Sequence, residues 1–139
     1  MSELYEAIKK DFNLEAVNSH EMAPLMLAYI GDAVYEVIVR TMVISKGNRQ
    51  SSKLHKDSTH LVNAATQAQF AESLMEHLTD EELTVYKRGR NANSHNKAKN
   101  ASTGDYRKAT GFEALIGFLF LEGKTDRIHE LLNKVITNE

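Results

Sequence analysis

The stretch from Pro24 to Ser45, PLMLAYIGDAVYEVIVRTMVIS, decides how the rest of the chain is read. Leu27, Ile30, Val34, Val37, Ile38 and Thr41 recur at the i, i+3, i+4, i+7 spacing of one helical face. Pro24 can open a helix because its missing N–H falls where no intrahelical partner exists, and Gly47 supplies the stop. The spacing therefore predicts one long apolar helix over 24–45, interrupted near its middle by a carboxylate, Asp32.

Outward from that helix the same period continues, and no segment calls for a strand. A second helix is expected from about Ser58 to His77, with Asp57 or Ser58 as cap and Leu61, Ala64, Ala65, Ala68, Leu74 and Leu78 inward. Thr79 with Glu82 forms a capping box that starts a third helix, ending near Lys87. Residues 88–105, RGRNANSHNKAKNASTGD, hold almost nothing apolar and read as a long loop; a loop of that size in a compact domain is usually functional. A further helix is expected from about Tyr106 to Leu121, then a turn at Gly123 and a last amphipathic helix over Asp126–Ile136. The fold class is all-α, a helical bundle read as one domain over 1–139.

Length and composition bound the function. With 139 residues, 42% of them hydrophobic, the chain can bury one core but hardly two. No cysteine is present, which excludes a disulfide framework and a thiolate zinc site. No apolar run is long enough for a membrane span and no secretory leader opens the chain, so a cytoplasmic location without membrane contact is the default expectation. Net charge is −2, yet Lys87, Arg88, Arg90, Lys97, Lys99, Arg107 and Lys108 face only Asp105 within 87–108. One strongly basic region on an otherwise acidic protein suits a surface that grips phosphates, although such a region also serves as ordinary solvated surface.

Two carboxylates stand out because burying them is expensive. Asp32 interrupts the most apolar helix, and Glu113 interrupts KATGFEALIGFLFL (108–121), beside Gly111 and Gly117, whose presence in a helix interior suggests close backbone approach. Taken alone, either is more readily an exposed residue of an amphipathic helix than a site. Two helices that each bring one acid inward make a pocket of oxygen ligands suited to a hard cation such as Mg2+, an arrangement fit for phosphodiester hydrolysis. Glu36, one turn from Asp32, reads as a surface ion pair or a subunit contact in preference to a ligand. Phe112, Phe118 and Phe120 read as core, and the six scattered histidines form no HExxH metal motif.

These segments resemble a known family. LAYIGDAVYEVIVR (27–40) is similar to the first signature of ribonuclease III, and YRKATGFEALIGFLFLE (106–122) to its last helix. LVNAATQAQFAESL (61–74) resembles the central helix, and KRGRNANSHNKAKN (87–100) is close to the Mini-ribonuclease III subgroup, which carries the catalytic domain without an appended double-stranded-RNA-binding domain. The resemblance implies an all-helical homodimer with Mg2+ as cofactor and double-stranded RNA as substrate, cut to leave 5′-phosphate and 3′-hydroxyl ends. For the subgroup it implies maturation of the large-subunit (23S) ribosomal RNA precursor, with a large-subunit ribosomal protein on that substrate as a further expected partner. By position Asp32 and Glu113 take the catalytic and metal-binding roles. Two other carboxylates of the family pattern are missing, since Ala28 and Thr110 stand in their places, so the metal site is thinner. Lys87, Arg88, Arg90, Asn91, Lys97 and Lys99 are the expected RNA contacts, with Lys and Arg for phosphates and Asn for hydroxyls.

Two other function classes fit the residues less well. An inert ribonuclease III-like module, binding RNA or assisting ribosome assembly, would be expected to lose Asp32 or Glu113 first, and both are present. A helical nucleotide pyrophosphatase gathers its ligands as ExxE and ExxD pairs, which neither Asp32 nor Glu113 forms.

Overall fold

From Ala109 to Phe120 every residue is buried except Glu113. A helix apolar all round must be surrounded, and this one is the axis of the domain. The computed structural model describes residues 2–48, 51–92 and 103–136. Within them lie seven α-helices and no strand: α1 Ser2–Asp11, α2 Pro24–Ile44, α3 Ser51–Val62, α4 Ala64–Leu74, α5 Asp80–Asn91, α6 Thr103–Leu121 and α7 Thr125–Val135. Short 3-10 turns occupy Ser19–Glu21 and Met75–His77. Helices α2, α4 and α5 pack around α6, while α3 leans on α2 and α7 closes one end.

Two glycine crossings let neighbouring backbones touch α6. A Cβ at Gly31 would overlap the Glu113 carbonyl, and one at Gly117 would overlap the Leu27 carbonyl, so α2 and α6 meet backbone against backbone. On the other side, a Cβ at Gly89 of α5 would sit 2.9 Å from the Gly111 Cα and 2.7 Å from the Ala114 Cβ. The expectation of close approach at Gly111 and Gly117 is met; Gly31 and Gly89 are the partners that periodicity did not single out.

The expected helix over 24–45 forms, but its buried face is Leu27, Ala28, Gly31, Val34, Tyr35, Val39 and Val43. Val37 and Thr41, expected inward, are exposed. The contact at Gly31 sets the rotation of the helix and overrides the side-chain pattern. The single helix expected over 58–77 is two helices. Asn63 breaks it, its Oδ1 accepting from the Thr66 N–H at 2.8 Å as the cap of α4, and α3 begins earlier, at Ser51. Ala65 is exposed, and Gln67 is buried in its stead.

The capping box is present, with Glu82 N–H to Thr79 Oγ1 at 3.1 Å and Thr79 N–H to Glu82 Oε1 at 2.9 Å. Glu82 is 5% exposed, and its charge is matched by Arg127 of α7, whose Nε and Nη2 donate to the two carboxylate oxygens at 2.8 Å each. That fork holds the Glu82 carboxyl below the usual carboxylate range. The helix so started does not end near Lys87. It runs to Asn91, and α6 begins at Thr103, so 88–91 and 103–105 of the expected loop are helical. Packing of Gly89 against α6 compensates for its poor helix propensity. Lys97 and Lys99 fall within 93–102, outside the described residues. The turn at Gly123 forms as expected, with φ +73°, and α7 matches its expected span to one residue. The N-terminal helix α1, unforeseen, is attached by Tyr5, whose ring lies 4.9 Å from that of Phe120.

Candidate active site

The α2–α6 crossing determines which side chains can meet. Asp32 follows Gly31 in α2, and Glu113 supplies the carbonyl that Gly31 approaches. The two carboxyl groups, 81 residues apart in sequence, are brought close enough for Asp32 to act on Glu113. Asp32 is exposed and Glu113 half-buried, so the pair opens to solvent on one side and rests on the core on the other. Burial is the main cause that pushes the Glu113 carboxyl up to about 9; Asp32 beside it and the charge of Glu36 act in the same direction. At neutral pH Glu113 therefore carries a proton. Among the described residues, no lysine or arginine forms an ion pair with either acid.

The surroundings are stiff. Tyr35 is fully buried, donates its hydroxyl to the Leu61 carbonyl at 2.7 Å, and packs edge-on to Phe112 with ring centroids 5.3 Å apart. Burial, followed by the charges of Glu36 and Glu113, holds the phenol well above its usual range, so it remains a donor that ties α3 to the site. Ala28 and Thr110 are both buried, and the Thr110 hydroxyl donates back to the Tyr106 carbonyl at 3.0 Å. Glu36 forms the ion pair foreseen for it, accepting from Arg40 Nε at 2.9 Å.

The expected RNA contacts are only partly assembled. Lys87, Arg88 and Asn91 are exposed, and Arg90 is half-buried over the Tyr86 ring, 5.8 Å from its centroid, with its Nε donating to Asn91 Oδ1 at 3.3 Å. The Gly89–Gly111 crossing brings this last turn of α5 against α6 two residues from Glu113. These groups are thus carried by a helix packed on α6, a more rigid support than the loop expected of them.

A second cluster had no signal in sequence. His20, Glu81 and Glu122 bring potential ligand atoms within 4.8 Å of one another. Glu122 lies nine residues beyond Glu113, about 13 Å of helix rise away, so this corner is separate from the acidic pair. Its groups are already matched: His20 Nε2 lies 3.1 Å from Glu81, Lys124 Nζ lies 3.9 Å from the same carboxylate, and Ser19 donates to Glu122 at 2.6 Å.

For a divalent cation the Asp32–Glu113 pair is the fitting place. Its donors are hard oxygens from two rigid helices, and the proton that Glu113 carries is one that a cation would replace. Residues 25–124 match the Ribonuclease III domain family. The chain is 52% identical over 116 residues to a Mini-ribonuclease 3 of Staphylococcus aureus, covering 82% of this chain and 87% of that one. To its counterpart from Clostridium tetani it is 49% identical over 117 residues, 84% and 78% of the two chains. A crystal structure of a protein from Fusobacterium nucleatum superposes with a TM-score of 0.81 at 28% identity, over 88% of this chain and all of that one. The acidic pair, the helices that carry it and these likenesses together make this chain a member of the ribonuclease III family, in its Mini-ribonuclease III group.

Proposed function

We propose that the chain is a Mg2+-dependent endoribonuclease that hydrolyses double-stranded RNA as a homodimer, leaving 5′-phosphate and 3′-hydroxyl ends. The observation that carries this reading is the Asp32–Glu113 pair, two acids brought together by the α2–α6 crossing with no lysine or arginine ion-paired to either among the described residues. When bound there, a divalent cation supplies Lewis-acid polarisation of a phosphoryl oxygen and acidification of the attacking water. The water oxygen joins phosphorus, the bond from phosphorus to O3′ breaks, and O3′ takes up a proton. Asp32 and Glu113 hold the charge, Glu113 after giving up its proton. The Gly31 and Gly117 contacts keep the two helices at a constant separation, and the buried Ala28 and Thr110 keep water from beneath the pair.

Lys87, Arg88, Arg90 and Asn91, joined by Lys97 and Lys99 from outside the described residues, take phosphates and 2′-hydroxyls of an A-form duplex, whose bases are hidden in a deep groove. A dimer is supported by α2, which leaves Met26, Tyr29, Val37 and Ile44 exposed at helical spacing, between 45% and 77%. Two-fold pairing would set matched acidic pairs across both strands of one duplex. The likeness to Mini-ribonuclease 3 proteins supports the 23S ribosomal RNA precursor as substrate, with a large-subunit ribosomal protein bound to it, in the cytoplasm. No described helix is long and apolar enough to cross a membrane.

The test is incubation of purified protein with duplex RNA, single-stranded RNA and nucleoside triphosphates, each with and without Mg2+, with end mapping of the products. Mg2+-dependent cuts in the duplex alone, with phosphate at the 5′ end, are the expected result. Binding without cleavage would favour an inert module, and hydrolysis of triphosphates would overturn the assignment. Sedimentation at micromolar concentration tests the dimer, which a purely monomeric species active on duplex would contradict.

A further inference from the structure

An all-oxygen cation site built from only two carboxylates is sparse for a hard divalent ion. Ala28 offers no oxygen, and the Thr110 hydroxyl is buried and turned back onto its own helix. Any further protein charge must come from another position, and the structure has a candidate one turn along α2. Glu36 is four residues after Asp32, about 6 Å along the axis and on the same face. Its side chain is 30% exposed, less than half the 72% of its partner Arg40. It does not gather with the other two acids within 4.8 Å, so it approaches a cation at that pair through water, which a small hard ion retains.

We propose that Glu36 is the third carboxylate of the cation site, holding the water shell of the ion bound by Asp32 and Glu113 and compensating for the acids absent at Ala28 and Thr110. In the ion-free state Arg40 occupies it. Their bond is an exposed i, i+4 pair, a class weak enough to yield to a divalent charge. This inference rests on the proposed cation site.

The experiment titrates Mg2+ calorimetrically into RNA-free protein, with Mn2+ followed by paramagnetic resonance as a second probe, for wild type, Asp32→Asn, Glu36→Gln, Glu36→Asp and Arg40→Ala. Circular dichroism verifies that each variant is folded. Glu36→Gln should weaken binding about tenfold or more, the usual cost of losing an outer-shell partner. Glu36→Asp should fall between it and wild type. Arg40→Ala should bind as tightly as wild type, or up to roughly fivefold more tightly, because the competing pair is gone. Two results overturn the role of Glu36 while leaving the cation site standing: Glu36→Gln within about twofold of wild type when Asp32→Asn has lost binding, or equal weakening by Glu36→Gln and Arg40→Ala, which would make Glu36 merely the holder of Arg40. Wild-type protein that takes up no ion, or Asp32→Asn that binds normally, would overturn the cation site itself and the role of Glu36 with it.

Discussion

The Asp32–Glu113 pair and the His20–Glu81–Glu122 corner both collect acids from distant parts of the chain, yet they are opposite in electrostatic character. At the corner each carboxylate has a donor: Lys124 and His20 for Glu81, Ser19 for Glu122. At the pair no described lysine or arginine is ion-paired to either acid, and burial together with the neighbouring Asp32 keeps a proton on Glu113. Proximity of acids alone therefore does not mark a cation site; lack of compensation does. A matched corner stabilises the fold, whereas an unmatched pair stores an electrostatic cost that a divalent charge can relieve.

The sharpest way to break this distinction is to remove the charge at each place. Asp32→Asn or Glu113→Gln should lower the rate of duplex cleavage by roughly three orders of magnitude or more while the protein stays folded, as expected when charge stabilisation at the reacting phosphate is lost. Substantial Mg2+-dependent cleavage by either purified variant would remove that residue from the site.

Next in size is the response to pH. Because Glu113 is protonated below about pH 9 in the ion-free protein, divalent binding must displace a proton. Affinity should then rise roughly tenfold per unit between pH 7 and 9, and the heat of binding should depend on the buffer as one released proton requires. The same group sets a stability slope of known sign. Its folded pKa lies above the unfolded value, so the folded state binds the extra proton between about pH 4.5 and 9, and ion-free stability should decline as pH rises through that window. Glu113→Gln should flatten both dependences; a denaturant midpoint with the same pH slope in wild type and variant would contradict the proton on Glu113.

Geometry can be tested apart from charge. Gly31→Ala forces a Cβ into the Glu113 carbonyl and should cost about 2–3 kcal/mol by urea unfolding, with loss of Mg2+ affinity in what remains folded. Gly104→Ala, in the first turn of the same helix α6 with nothing within 4 Å of the new carbon, should be neutral or slightly stabilising. A smaller effect is expected from Arg88→Ala with Arg90→Ala. Duplex binding by Asp32→Asn protein should weaken similarly for unrelated sequences, and the slope of log affinity against log salt should fall by under about one unit per lost contact. The smallest belongs to the corner, where His20→Ala with Glu81→Gln should leave cleavage unchanged and shift stability by no more than about 1 kcal/mol. A large loss of activity there would reverse the comparison.

What could be read beforehand follows from the range of the forces involved. Helix α2, the body of helix α6 and the start of α5 at the Thr79–Glu82 box depend on residues within a few positions of one another, and these were legible. The two carboxylates were conspicuous because a charge in an apolar run is locally anomalous. Where a helix turns its face, or whether a glycine ends it, depends on a neighbour far along the chain. Residues 88–91 read as loop because the partners of Gly89, Gly111 and Ala114, come more than twenty residues later. Asn63 did carry a local signal, an amide able to cap the helix that follows it, but the apolar period on both sides masked it. The corner had none, since histidine and glutamate at 20, 81 and 122 are ordinary surface residues until the fold collects them.

The contact of Gly31 with the Glu113 carbonyl has a consequence for how the protein fails. A core of leucine and isoleucine side chains accommodates a lost methylene by shifting a few tenths of an ångström, enough to detune an ion site. A main-chain carbonyl lodged against a main-chain carbon has no such slack, so the separation of the two acids acts as a mechanical stop and not as a spring. Loosening the core elsewhere, for instance at Leu132 or Val43, should leave ion affinity at its native value up to the temperature at which the domain unfolds, so that activity vanishes abruptly with no gradual decline before it.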